Sequence, residues 1–180
     1  MQGDVDVIDE LTMDHRLVDG LFVQFHDAPV GSADRRRLVD ALIKNLARHT
    51  AFEEQHLCPV MREHLDQGEE LAAKAGASHG RVQHLLAQLR EREPGEAGFD
   101  ELVGRLRLEV LAHVDEEENN LFPQLRNGVH PYVLSNLGSK LREARNAEDR
   151  SSPAHTPRAP GSGDAPGARA MDTDRFDDRP

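Results

Sequence analysis

The sequence predicts an all-α protein: an antiparallel up-down four-helix bundle, then a short C-terminal helix and a disordered tail. Three observations predict it. Apolar residues recur at three- and four-residue steps through four long stretches. Short runs rich in Gly, Pro, Asp or Ser separate those stretches. No segment alternates with period two for long enough to make a strand.

The first stretch carries Val7, Leu11, His15, Val18 and Phe22 on one face, and APVGS at 28–32 ends it. The second carries Leu38, Leu42, Leu46, His49, Glu53, His56 and Val60, and DQG at 66–68 ends it. The third carries Leu71, Ala75, His79, Val82, Leu86 and Leu89, and EPGEAG at 93–98 ends it. The fourth carries Leu102, Leu106, Val110, His113, Glu117 and Leu121. Short links between helices of this length favour antiparallel neighbours. A fifth, shorter helical stretch from about Tyr132 to Asn146 is expected to pack on one end of the bundle. Residues 1–149 therefore form the bundle domain. Residues 150–180 hold five of the chain's ten prolines, with Gly and Ser between them. Met171 and Phe176 are the only large apolar side chains there, too few to offset chain entropy, so a disordered Pro/Gly/Ser-rich tail is expected.

Charge narrows the function. The net charge is −11, from 33 acidic and 22 basic side chains, which argues against nonspecific nucleic-acid or anionic-membrane binding. Cys58 is the only cysteine, which rules out an internal disulfide and a thiolate metal site. A thiol with no second cysteine to resolve an oxidation reads as structural and inert. No apolar run approaches a membrane span, and the acidic start MQGDVDVIDE lacks the basic opening of a secretory signal. The expected location is the cytoplasm.

The apolar stripes are interrupted in one layer. Each contains a histidine near its middle, and two contain a glutamate four residues later. Buried polar groups must be paired, hydrogen-bonded or metal-bound. An internal repeat with an offset of 64 relates these residues: His15 to His79, His49 to His113, Glu53 to Glu117, Glu54 to Glu118, and Pro59 to Pro123. The chain thus reads as two copies of a helix pair. One helix of each pair gives a His, the other His-x-x-x-Glu. Four residues turn a helix by about 400°, so His and Glu lie about 40° apart on one face. His15, His49, Glu53, His79, His113 and Glu117 can therefore converge on one metal or two adjacent ones. Imidazole and carboxylate suit iron, manganese or zinc.

The remaining histidines relate to the same layer in different ways. His56, seven residues after His49, is an additional candidate ligand, although its repeat counterpart is Asn120 and a rim position fits it better. His84 turns away from the layer, His26 lies near a helix end, and His64, His130 and His155 follow no layer. Glu54 and Glu118 turn about 100° from their neighbours and are expected at the surface or orienting a histidine. Pro59 and Pro123 should kink or end their helices just past the layer.

These segments resemble the hemerythrin-like (HHE cation-binding) domain. DHRLVDGLF at 14–22, HTAFEEQHLCP at 49–59, SHGRVQHLL at 78–86 and HVDEEENNLFP at 113–123 carry the resemblance. It implies a bundle enclosing two non-haem iron ions, held by the six residues above. Glu53, Glu117 and an oxo or hydroxo ligand would bridge them. The chain departs from the oxygen-carrying hemerythrins. Gln83 stands where they place a second histidine, and the last helix offers Glu117 at four residues rather than Asp at five. One fewer histidine leaves more open metal positions.

The resemblance therefore implies binding of, or reaction with, oxygen, nitric oxide or hydrogen peroxide, in oxidative or nitrosative stress, with an electron donor left unidentified. The competing functions are a peroxide-decomposing catalase- or peroxidase-like enzyme and iron handling, including iron–sulfur cluster repair. Repair proteins carry an extra N-terminal cysteine-bearing domain with no counterpart in this sequence.

Overall fold

The structure is a computed structural model that describes residues 5–151. Helix α1 spans Val7–Asp27. Helix α2 spans Ala33–Phe52 and runs through a π-helical turn, Glu53–Leu57, into α3, Cys58–His64. Helix α4 spans Gly68–Arg90. Helix α5 spans Phe99–Glu116 and runs through a second π turn, Glu117–Leu121, into α6, Phe122–Gly128. Helix α7 spans Pro131–Ser151. The five rods make an all-α bundle, and the described residues contain no strand.

Local sequence sets the starts. Asp6 caps α1 by accepting from the backbone N–H of Ile8 and Asp9, while Asp9 accepts from the Asp6 N–H. Ser32 caps α2 through the Arg35 N–H. At Gly68 an added Cβ would sit 1.9 Å from the Met61 carbonyl oxygen, so α4 can leave α3 this tightly only at glycine. Long-range pairs fix the up-down order. Arg126 near the end of α6 binds Asp9 at the start of α1, and Arg36 at the start of α2 donates to the Leu89 carbonyl at the end of α4 and to the Arg92 carbonyl just past it.

The core is divided. One apolar cluster includes Phe22, Val39, Leu86, Phe99 and Leu106 at the end where α1 gives way to α2. The other includes Leu11, Leu57, Met61, Phe122 and Leu141 at the opposite end. The polar layer lies between them. His15, His49, Glu53, His79, His113 and Glu117 are all buried there.

Two features differ from the sequence expectation. Pro59 and Pro123 end neither rod. In each π turn the ladder gains a residue, so the Cys58 N–H bonds to the Glu53 carbonyl and the Phe122 N–H to the Glu117 carbonyl. Each proline then falls at the first turn of the following segment, where its missing N–H costs little. The fifth helix also runs longer than the expected stretch from Tyr132 to Asn146, and it packs along α1. Leu134, Leu137 and Leu141 supply its apolar stripe. Its later turns are held by charge instead. Arg142 and Arg145 pair with Glu10, Arg145 pairs with Asp14 at 2.9 Å, and Glu148 lies 3.6 Å from Arg48. Gly138 lets α7 cross the chain start, since a Cβ there would lie 2.8 Å from the Asp6 carbonyl carbon. Arg150 and Ser151, assigned to the tail by sequence, continue α7, and the tail from residue 152 lies outside the described residues. Among the described residues no helix is long and apolar enough to cross a membrane.

Candidate metal centre

Helices α1 and α4 each bring one histidine to the layer, and each π turn begins at a glutamate of the layer. The two halves repeat the same distances. His49 Nε2 lies 3.4 Å from Glu53, and His113 Nε2 lies 3.3 Å from Glu117. Across the bundle, His15 Nε2 lies 3.2 Å from Glu117 and His79 Nε2 lies 3.0 Å from Glu53. The diagonal contacts, His49 to Glu117 and His113 to Glu53, are 3.9 and 3.8 Å. Ring centroids of His15 and His49 are 5.0 Å apart, and those of His79 and His113 are 5.1 Å apart. The offset of 64 residues is therefore a pseudo-two-fold axis through the site.

Inner and outer atoms of these side chains are treated differently. On the outside, His15 Nδ1 donates to Glu118 Oε1 at 2.9 Å and His79 Nδ1 donates to Glu54 Oε1 at 3.2 Å. Glu118 also accepts from Arg16. Phe122 stacks on the His15 ring with an interplanar angle of 3°. On the inside, Nε2 of all four histidines, both oxygens of Glu53 and Oε2 of Glu117 are buried without a hydrogen-bond partner. An unsatisfied buried polar atom costs about 1–3 kcal/mol. Seven of them around one point are badly placed for each other and well placed for cations. The donor set fits a metal.

Two overlapping groups arise. One is His15, His49, His113 and Glu117; the other is Glu53, His79, His113 and Glu117, with ligating atoms in each group within 4.8 Å of one another. This arrangement is consistent with a binuclear metal site. Burial opposes ionisation of the Glu53 carboxyl, but His49 and His79 keep it below the ordinary range. The two related histidines differ. Burial lowers His49, yet Glu53, Asp14 and Glu117 outweigh it and push it up to about 9. Burial pushes His113 down to about 4; Glu117 opposes this, but the neighbouring imidazoles add to it.

Part of that difference comes from Asp14, a residue that the sequence pattern does not single out. Asp14 is buried and its carboxylate lies 3.7 Å from His49 Nδ1. Its repeat counterpart beside His113 is Ser78. Asp14 and Glu10 are acidic residues one turn apart on the buried side of α1, a signal present in the sequence once their burial is known. Glu54 and Glu118 orient histidines. His56 is half-buried, packs its ring 4.9 Å from Phe52 and joins neither group. Cys58 is buried, and its thiol is pushed up to about 11 by burial and the Glu53 charge.

A helical bundle with a buried His/Glu metal site marks a cation-binding domain. Residues 6–125 match the Hemerythrin HHE cation binding domain, and the chain belongs to that family. The chain is 29% identical to the uncharacterized protein Rv2633c of Mycobacterium tuberculosis, over 89% of its own length and 97% of that protein. It is similar to the crystal structure of an HHE domain-containing Rv2633c homolog from Mycobacterium kansasii. The TM-score is 0.69 at 28% identity, covering 82% of this chain and 89% of that one. A match at 27% identity to a DNA nickase of Nostoc covers 79% of this chain but only 40% of the Nostoc protein.

Proposed function

We propose that the six residues hold two iron ions bridged by the Glu53 and Glu117 carboxylates. The chain would bind or react with a small oxidant or diatomic molecule, namely oxygen, nitric oxide or hydrogen peroxide, in oxidative or nitrosative stress. The ligating residues are His15, His49, Glu53, His79, His113 and Glu117. The observation that carries this reading is the ring of buried, unpartnered nitrogen and oxygen atoms facing one another across the bundle. Bound iron would supply a pair of adjacent redox-active Lewis acids.

The chain's own residues do the rest. Glu118 and Glu54 hold the Nδ1 protons of His15 and His79, which leaves the Nε2 lone pairs free to face inward. Phe122 fixes the plane of His15. The apolar clusters above and below close both ends of the layer to water, which strengthens the charge interactions within it. Four histidines and two glutamates fill fewer positions than two six-coordinate ions offer, which leaves room for an exogenous ligand.

The test is to load the protein with iron, record its optical spectrum, and add excess hydrogen peroxide. Consumption of many equivalents per chain marks an enzyme. A stoichiometric, reversible spectral change with oxygen or nitric oxide marks a carrier or sensor. No response to any of the three would overturn the reading.

A further inference from the structure

The pseudo-two-fold axis relates the outer walls of the site as well as its ligands, and there the halves part company. Between α1 and α2 the wall contains Asp14 and Arg48; their counterparts between α4 and α5 are Ser78 and Ala112. On the first side Arg145 of α7 reaches Asp14, and Arg48 lies 3.4 Å from the same carboxylate. A surface depression of about 400 Å³ there ends on Asp14, Arg48 and Arg145 and reaches none of the six site residues. On the second side a cavity of about 370 Å³ opens between α4 and α5. Its walls include Leu71, Ala75, Ser78 and Ala112, and His113 and Glu117 line its inner end. His113 Nε2 and Glu117 Oε2 are both buried and unpartnered, and their residues are only 6% and 3% exposed.

We propose that this α4–α5 cavity is the entrance and binding site for the exogenous ligand, and that the α1–α2 side is sealed by α7. The inference rests on the metal reading above. The ligand it fits is small and neutral or singly anionic, of a few heavy atoms. Two ion pairs cross the groove and frame the opening: Lys74 with Glu116 at 2.6 Å, and Arg81 with Glu109 at 2.8 Å. Lys74 and Arg81 are seven residues apart on α4, so the window between them is about 10 Å long. That frame admits a small solute and keeps out a helix or an extended peptide. Apolar walls then lead to the inner polar atoms, so a ligand sheds water before it reaches them.

The test compares Ala112→Trp, which fills the cavity, with Met13→Trp on the opposite groove, using the full chain. Azide is the probe, and its association with the metal-loaded protein is followed by stopped-flow absorbance. Cobalt(II) uptake by the apo-protein is followed separately. Metal content per chain, measured alongside, separates this inference from the metal reading: a native chain without metal defeats both, whereas a loaded native chain whose filled variants bind azide at the native rate defeats the entrance alone. We expect Ala112→Trp to keep its metal and to slow azide association and cobalt uptake by about tenfold or more. Met13→Trp should change neither.

Ala75→Phe, on the facing wall, repeats the test if Ala112→Trp fails to fold. Unchanged azide rates in the filled variants would overturn the entrance, as would equal slowing in Met13→Trp. Loss of metal in both filled variants would also overturn it, since the walls would then be part of the site itself. So would a native dimer by light scattering that buries this groove against a second copy.

Discussion

The α1–α2 half and the α4–α5 half are alike inside and different outside. Corresponding inner distances agree within 0.2 Å: 3.4 with 3.3, 3.2 with 3.0, and 3.9 with 3.8 Å. Outside, one half carries Asp14, Arg48 and a docked fifth helix, whereas the other carries Ser78, Ala112 and a cavity. Cation geometry constrains the inner set, and nothing in that geometry constrains the walls. The repeat therefore survives where ligands must converge and has diverged where access and cover are decided.

The largest predicted effect treats the halves as equals. Glu53→Ala and Glu117→Ala should each abolish metal binding, as should His113→Ala, measured as metals per chain after gel filtration. The same variants should lose far more stability under metal-loaded conditions than as apo-proteins, because metal binds the native state preferentially. Retained stoichiometry in one half only would break the symmetry argument.

The next effect separates the halves. Arg145→Ala leaves the buried carboxylates of Glu10 and Asp14 short of a partner and should cost about 3 kcal/mol in urea unfolding. The repeat counterpart of Glu10 is Lys74, whose exposed pair with Glu116 is worth about 0–1 kcal/mol, so Lys74→Ala should be nearly silent. Equal costs would show that α7 does not seal its side as described.

Orienting carboxylates come third. Glu54→Gln and Glu118→Gln should each weaken metal affinity by about 10–100-fold in competition with a chelator, with similar losses in both. A large difference between them would place the two ions in unequal surroundings.

The smallest effect concerns Cys58, whose counterpart is Phe122. Burial and the Glu53 charge push its native thiol up to about 11 from an ordinary value of 9.0. The unfolded chain therefore releases this proton first, and stability should fall as pH rises from 9.0 towards 11. Urea midpoints across that range should show this slope, and Cys58→Ala should remove its share. Rapid alkylation of the native thiol at neutral pH would contradict the inert reading.

Much of this was legible in the sequence. The four stripes, the breaks between them and the offset of 64 each follow from periodicity, which burial imposes directly on residue choice. The convergence of the six site residues followed from the same pattern, because polar groups repeated in one layer of four apolar stripes must meet. The π turns were not legible. Pro59 and Pro123 announced a disturbance, but whether the helix ends or widens depends on packing around Leu57 and Leu121. The full reach of α7 was hidden too, because Arg142, Arg145 and Glu148 hold it by charge and charge leaves no apolar period. Asp14 escaped notice for the same reason. Beside His15 it reads as an ordinary surface acid until α7 covers it.

On the reading proposed above, this layer holds a pair of metal ions shared between the two halves. Elemental mass spectrometry of the purified full chain, with protein quantified by amino-acid analysis, tests it most directly. Two iron ions per chain are expected, both lost when either Glu53 or Glu117 is replaced by alanine. A chain that keeps its helical circular dichroism but binds no metal under iron-replete conditions, or binds a single ion, would contradict it.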